Sequence, residues 1–204
     1  MEQGTSRHRI ESPTRISRSP GLWLLVAGLE ILFLVNLSEY LYDGYSVSSN
    51  YISDLGVGPA LPSALFTIAV ILFGLMALMA AVLFRQRDKK SMLWPLLTLS
   101  GIGAIGVGVI NEDFISLIHR AAALLAFLFG NLAALYTYKV TRPPVSYVFA
   151  SLGLIGLSAL GLYGGEVYLG LGVGGMERMI LYPAILWAIS FGAYLVAEES
   201  ISRR

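Results

Sequence analysis

The chain has 204 residues, of which 56% are hydrophobic and only 13% are charged, whereas about a quarter of the residues in an ordinary soluble domain are charged. So few charges cannot cover a soluble protein, and so much apolar mass excludes a disordered chain, so the composition indicates a membrane protein. The net charge of +1 argues against a nucleic-acid partner. The absence of cysteine excludes disulfides, cysteine-ligated zinc, iron–sulfur clusters and thiol catalysis.

The chain begins with a polar segment, residues 1–20, that carries four arginines among Ser, Thr and Pro. We expect a disordered basic cytoplasmic tail there and a second short cytoplasmic tail at residues 199–204. The apolar run after the first tail is about 20 residues long and lacks a small-residue cleavage site, which indicates a retained helix rather than a signal peptide. Residues 21–198 are therefore predicted to form one transmembrane domain.

Six apolar segments follow one another along the chain, and each approaches the roughly 20 residues that a helix needs to cross a bilayer. They lie at residues 22–41, 62–84, 92–110, 118–138, 145–162 and 177–196. The loops between them are too short to hold a soluble domain. The sequence therefore predicts an all-α fold, a polytopic bundle of six transmembrane helices.

Basic residues concentrate on one side of this predicted topology. Twelve of the fourteen lysines and arginines fall in the two tails and in the loops after the second and fourth segments, which leaves Arg120 and Arg178 on the other side. Because positively charged loops stay in the cytoplasm, both termini are predicted to be cytoplasmic in a multi-pass protein of the cell membrane.

Small residues predict how the helices associate, because an apolar side chain gains little by leaving lipid for another helix. The third segment carries Ser100, Ala104 and Gly108 at a spacing of four residues, and the fifth carries Gly153 and Gly156. Both helices are expected to be central and to pack closely against their neighbours.

Acidic residues concentrate on the side opposite to the basic loops. Seven of the thirteen acids lie there, namely Glu39, Asp43, Asp54, Glu112, Asp113, Glu166 and Glu177. Two of them suit helix ends, since Asp113 is placed to cap the fourth helix and Glu177 is predicted in the first turn of the sixth. The others are candidates for a polar site.

His119 and Arg120 are predicted more than one turn inside the fourth helix, where an arginine must pair or extend toward the interface. Arg120 and Arg178 are each expected to pair with an acid on this side. Such a network has two interpretations. It either latches helices one, four and six around the first loop, or lines a pocket. The excess of acids there favours a cation, a proton, an amine or hydroxyl ligand, or a zwitterionic or sugar lipid headgroup.

Glu30 lies close to the predicted bilayer midplane, where an ionisable side chain is costly and is expected to face the bundle. Asn131 is at a similar depth and is its predicted hydrogen-bond partner, with Trp187 as another donor. The interpretation is either a polar clasp between helices or a carboxyl group that carries a proton or binds substrate.

The chain offers little for a metal or a cofactor, and we expect neither. It has two histidines, one of them in the N-terminal tail, whereas catalytic zinc commonly takes three protein ligands. A G-x-S-x-G nucleophile motif is absent, and the Gly-rich run 170–175 lacks the Gly-Lys-Ser/Thr ending of a P-loop.

Three short patterns, taken together, resemble a known family. They are Ile52-Ser53-Asp54-Leu55-Gly56 in the first outer loop, Asn111-Glu112-Asp113 followed by His119, and Glu177-Arg178 at the last helix. Across about residues 20–196, the chain resembles the domain of unknown function 998 family of six-helix prokaryotic membrane proteins, and more distantly the Frag1/DRAM-like proteins. The resemblance implies the six-helix fold and the position of the site, and no activity.

The predicted site is an outward-facing polar pocket, formed by Asp54, Glu112, Asp113, His119, Glu177 and Arg178, with Glu39 and Arg120. We expect it to bind or move a polar small molecule, a cation or a lipid headgroup, with membrane lipids as partners. The alternatives are a membrane-embedded hydrolase or transferase acting on lipid at the outer leaflet, with His119 and an acid as general acid and base, or a purely structural latch.

Overall fold

The structure, a computed structural model, describes residues 19–110 and 116–202. Within these ranges the chain forms six α-helices: α1 Pro20–Leu41, α2 Ala60–Arg87, α3 Leu93–Val109, α4 Ser116–Tyr136, α5 Val145–Gly164 and α6 Gly172–Ile201. Short 3-10 turns at Ser53–Gly56 and Thr137–Lys139 follow α1 and α4. The all-helical prediction is confirmed for the described residues, whereas the expected N-terminal tail lies almost entirely outside them.

Length and apolarity make most of these helices candidates for membrane spans. Among the described residues, α1, α2, α4, α5 and α6 are long and apolar enough to cross a bilayer. The remaining helix, α3, is also apolar but has 17 residues, or about 26 Å at 1.5 Å per residue. The structure is thus a bundle of the kind that spans a membrane.

The last helix differs most from its predicted bounds. α6 begins at Gly172, five residues before the predicted start, and continues to Ile201, beyond the predicted domain end at 198. The early start depends on glycine, because Gly172 has φ +76° and a Cβ on Gly174 would lie 2.0 Å from the carbonyl oxygen of Asn50. The prediction that Glu177 lies in the first turn is therefore wrong, since Glu177 is in the second turn of α6.

The six helices form a closed ring of antiparallel neighbours. Each helix packs against the next in the chain, and α1 packs against α6. Glycines mark the close contacts at the joint between the first and last helices: Gly28 lies against the backbone of Ile185 and Ile189, and Gly21 against that of Gly192. The C-terminal ends of α1, α3 and α5 therefore lie at one end of the bundle, which we call the acidic end, and the opposite end is the basic end.

The predicted small-residue contacts of α3 and α5 are present. A Cβ on Gly103 would lie 2.4 Å from the backbone nitrogen of Ala126 in α4, and one on Gly153 would lie 2.4 Å from that of Leu135. Ser100 adds a hydrogen bond from its Oγ to the carbonyl of Ala126 at 3.0 Å. These two helices are members of the ring, each flanked by two neighbours, rather than central to it.

The predicted pairing of Glu30 with Asn131 is wrong. The Asn131 amide donates to the carbonyls of Phe127 at 2.9 Å and Ile180 at 3.1 Å, so it clasps α4 to α6. Trp187 donates to the Thr137 hydroxyl at 3.3 Å instead. Asn131 does not reach Glu30 because its side chain packs against α5, in the space left by the missing side chain of Gly156.

Glu30 does not lie on the face of α1 that lines the central cavity. Its position falls in line, at helical spacing, with the exposed residues Val26, Phe33 and Leu37. Its two carboxylate oxygens are buried and have no hydrogen-bond partner among the described residues. The Glu30 carboxylate is therefore covered by protein atoms but lies outside the central cavity.

The glycine contacts give the first prediction. Gly153→Ala is expected to lower the melting temperature, because the new methyl group must displace the α4 backbone at a cost of about 1–3 kcal/mol. Gly161→Ala, in the same helix, is the matched control, since nothing lies within 4 Å of its Cβ position. Tryptophan fluorescence during thermal unfolding in detergent measures both; an equal effect of the two substitutions would contradict the packing.

Candidate functional site

The loop after α1 is folded by its own polar side chains. Asn50 accepts a hydrogen bond from the backbone nitrogen of Ser46 at 3.0 Å. The Asp54 carboxylate accepts from the Asn50 amide at 3.0 Å and from the backbone nitrogen of Tyr51 at 2.9 Å. Asp54 therefore holds the loop in shape and is not among the residues that line the cavity described below.

Arg178 ties this loop to two helices. Its guanidinium forms an ion pair with Glu39 at the end of α1, with both side chains nearly buried. The same group donates to the carbonyls of Val47 at 3.0 Å and Gly174 at 2.9 Å, and to the Tyr45 hydroxyl at 2.8 Å. We call Arg178, Glu39 and Tyr45 the latch.

Tyr45 extends the latch to the far side of the loop. Its hydroxyl donates to the carbonyl of Tyr51 at 2.8 Å while it accepts from Arg178. Burial raises the pKa of the Tyr45 phenol to about 12. The phenol therefore stays protonated at neutral pH and keeps both hydrogen bonds.

Glu177 fixes the loop at a second point. One carboxylate oxygen accepts a hydrogen bond from the backbone nitrogen of Ile52 at 2.6 Å, and the side chain is buried. The backbone nitrogen of Gly174 donates to the Ser48 carbonyl at 3.0 Å. These contacts with the start of α6 hold the loop between α1 and α2, residues 42–59, across the acidic end of the ring. We call this loop the roof.

Below this roof lies a cavity of about 570 Å³ at the centre of the ring, within the roughly 300–1,000 Å³ typical of small-molecule sites. Most of its polar lining residues lie at the acidic end: Tyr51, Ser53, His119, Arg120, Tyr163, Glu166, Tyr168 and Glu177. Below that level its walls are almost entirely apolar, with Ser100 as an exception: Leu24, Ile31, Val35, Phe66, Val70, Phe73, Ala77, Leu97, Ala104, Phe127, Leu181, Ile185 and Trp187 among others.

The cavity is deep. It follows α6 from Glu177 to Ala188, a rise of about 16 Å at 1.5 Å per residue. That is roughly half of the 30 Å hydrocarbon core of a bilayer. The cavity therefore combines a polar mouth with an apolar shaft.

His119 lies at the mouth and is 4% exposed. Its Nδ1 is 2.7 Å from the carbonyl oxygen of Ile110. Because a carbonyl oxygen only accepts, Nδ1 carries the hydrogen, and in the neutral ring Nε2 is the basic nitrogen. The ring is thereby held in one tautomer and one orientation.

The predicted site residues fall into four groups, one of which is Asp54 alone, since it holds the first loop in shape and does not line the cavity. His119, Arg120 and Glu177 line the cavity, whereas Glu39 and Arg178 form the latch beside it. Glu112 and Asp113 lie outside the described residues, as does the predicted cap of α4. The prediction that Arg178 pairs with an acid is confirmed. No ion pair joins Arg120 to an acid in the described part of the chain, and Arg120 is exposed.

Sequence reasoning did not assign the aromatic and apolar lining to the site. Glu166 belongs to the acids predicted on this side, whereas no sequence pattern separates Tyr163, Tyr168 and the apolar lining residues from other residues of the helices and loops. The described residues contain no group of three or more His, Asp or Glu side chains that could hold a metal ion.

The fold and the site define a class of protein: a polytopic α-helical bundle with a roofed internal cavity whose polar lining lies mainly at one end. The chain belongs to the family described as Protein of unknown function (DUF998), whose sequence model matches residues 25–194. The family resemblance noted from the sequence is therefore confirmed. No curated protein and no solved structure matches the chain.

The latch gives the second prediction. Arg178→Ala is expected to cost about 3–5 kcal/mol of stability, because it leaves the Glu39 carboxylate nearly buried without its cation. Arg87→Ala is the matched control, since Arg87 also pairs with an α6 acid, Glu199, at 2.5 Å but is 45% exposed. Exposed pairs contribute about 0–1 kcal/mol. Thermal unfolding measures both; similar shifts for the two variants would contradict the latch.

Proposed function

We propose that the protein binds one membrane lipid, with an acyl or similar chain in the shaft and the headgroup at the mouth. The observation that carries this proposal is the division of the cavity, whose polar lining lies at the acidic end except for Ser100 and whose remaining walls are apolar over its roughly 16 Å depth. An amphipathic molecule has the same division. The binding holds the lipid for presentation or for movement out of the bilayer.

The apolar shaft argues against the other ligands that the acidic residues suggested. A free cation or a hydrophilic molecule would lose its hydration in the shaft without gaining polar partners there. A lipid chain exchanges one apolar environment for another and loses nothing by entering. Movement of a proton through Glu30 finds no support either, because Glu30 is not part of the cavity lining.

We further propose that all six helices cross the cell membrane, with the acidic end outside and both termini in the cytoplasm. The charge asymmetry supports this orientation. The shortest helix, α3, is about 26 Å long, close to the roughly 30 Å of the hydrocarbon core, and it packs between two helices of spanning length. The mouth of the cavity would then face the outer leaflet.

The fixed tautomer of His119 favours a second candidate, a hydrolase or transferase that acts on the bound lipid. A buried histidine oriented through Nδ1 is suited to act as a general base through Nε2. Release of a headgroup or acyl chain from vesicle lipid by the wild type, and not by His119→Ala, would favour this candidate over binding alone.

Filling the shaft gives the third prediction. Ala184→Phe places a ring in the cavity and is expected to abolish lipid binding, whereas Leu186→Phe changes a 50% exposed residue of the same helix that does not line it. Native mass spectrometry, after mixing with phosphatidylethanolamine vesicles and extraction into mild detergent, counts bound lipid. We expect one lipid on the wild type and on Leu186→Phe. A wild type without lipid, or Ala184→Phe retaining it, would contradict the proposal.

The orientation gives the fourth prediction. The chain has no native cysteine, so Ser48→Cys, in the exposed roof loop, introduces a single thiol. It is expected to react with a membrane-impermeant maleimide in intact cells, whereas Lys90→Cys at the basic end should react only after lysis. The reverse pattern would place the acidic end in the cytoplasm.

A further inference from the structure

The cavity reaches the surface of the protein on one side. Most of its lining residues are buried or half-buried, but those that are exposed concentrate on α4 and around the end of α5: Arg120, Leu124, Gly164 and Glu166. Leu124 is 51% exposed although it lines the cavity. Tyr51 in the roof, 36% exposed, is a further such residue. The cavity therefore opens sideways between α4 and α5 near the acidic end.

Packing explains why the two helices part there. Toward the basic end, Gly153 and Gly156 bring the α5 backbone against Leu135 and Asn131 of α4. Toward the acidic end, Gly164 lines the cavity, is exposed and has nothing within 4 Å of its Cβ position. Close contact in one half and open space in the other produce a gap at the level of the mouth, which we call the lateral opening.

Opposite charges flank the lateral opening. Arg120 lies on α4, and Glu166 lies two residues beyond the end of α5. Both are exposed, both line the cavity, and neither side chain has a hydrogen-bond or ion-pair partner among the described residues. A planar guanidinium suits a phosphate group, and a carboxylate suits an ammonium group.

Glu166 adopts an uncommon backbone conformation. Glu166 has φ +58°, the left-handed conformation at a helix C-terminus that normally selects glycine or asparagine. A glutamate costs about 1–2 kcal/mol there relative to a residue without this conformational penalty.

We infer that a lipid with a zwitterionic headgroup, a phosphate joined to an amine, enters the cavity through the lateral opening from the surrounding leaflet. Arg120 binds its phosphate and Glu166 binds its ammonium group. This inference rests on the proposed function and adds to it the route and the headgroup class. A purely anionic headgroup would face Glu166, and a purely cationic one would face Arg120, so only a headgroup with both charges satisfies the two sides.

The route is tested by the rate of lipid exchange. Leu124→Trp narrows the lateral opening, and Ile118→Trp is its control on the same helix, because Ile118 is 49% exposed and does not line the cavity. Protein loaded with phosphatidylethanolamine is mixed with vesicles of the deuterated lipid, and native mass spectrometry follows the replacement. We expect several-fold slower exchange in Leu124→Trp at unchanged final occupancy. If Leu124→Trp binds no lipid, Leu124→Phe takes its place; exchange as fast as in the control overturns the route.

The headgroup is tested by competition. The protein is mixed with vesicles of equal parts phosphatidylethanolamine and phosphatidylglycerol, and the retained lipids are counted. The wild type is expected to prefer phosphatidylethanolamine by about three- to tenfold, a typical effect of one charge-assisted contact. Glu166→Gln should reduce the ratio to near one, whereas Asp43→Asn, an exposed acid outside the cavity, should leave it unchanged. No preference in the wild type, or a preference for phosphatidylglycerol, overturns the assignment.

A further variant separates binding from stability. Glu166→Gly is expected to lose the headgroup preference without lowering the melting temperature, because glycine adopts this backbone conformation freely. A purely structural glutamate would instead lose stability and keep the ratio. Failure of the proposed function looks different again: the wild type would then retain neither lipid, and Ala184→Phe would change nothing.

Discussion

The contact on which the acidic end depends is the nearly buried ion pair between Arg178 and Glu39. It joins the first helix to the last at this end of the ring. The same guanidinium donates hydrogen bonds to the carbonyl of Val47 and to the hydroxyl of Tyr45, both in the loop after α1. Arg178 thus adds a charged anchor to the hydrogen bonds that Glu177 and Gly174 make with the same loop. The roof of the cavity, which includes Tyr51 and Ser53, is held in place by these contacts together.

The close contacts and the cavity are two results of the same distribution of small residues. Glycine brings neighbouring helices to backbone contact at Gly28, Gly103 and Gly153, which draws the ring together. Where a cavity-lining glycine meets open space, as at Gly164, the helices separate and the cavity reaches the surface of the bundle. In lipid, where apolar burial drives association only weakly, the placement of small residues decides both where helices touch and where they part.

The sequence predicted the helices and the end of the bundle that carries the polar residues, because apolar length and charge asymmetry are local signals. It predicted an acid for Arg178 but could not select Glu39, since that choice depends on how α1 and α6 cross. It misplaced the start of α6, because a run of glycines is typical of a loop. Here the glycines are helical because they allow close contact with Ser48 and Asn50 of the roof. The sequence could not predict the shaft, because apolar residues such as Ile185 and Leu97 occur equally in a filled core and in the wall of a cavity.

The central claim is that a lipid chain lies inside the shaft, and Trp187 provides a direct measurement. Trp187 lines the deep end of the cavity and is 2% exposed. With Trp23 and Trp94 replaced by Phe, it becomes the single tryptophan. We predict that phosphatidylethanolamine brominated near the end of its chain quenches Trp187 fluorescence in reconstituted protein, that bromine near the headgroup does not, and that Ala184→Phe removes the difference. Equal quenching by both lipids, or quenching by the chain end that survives Ala184→Phe, would contradict a chain in the shaft.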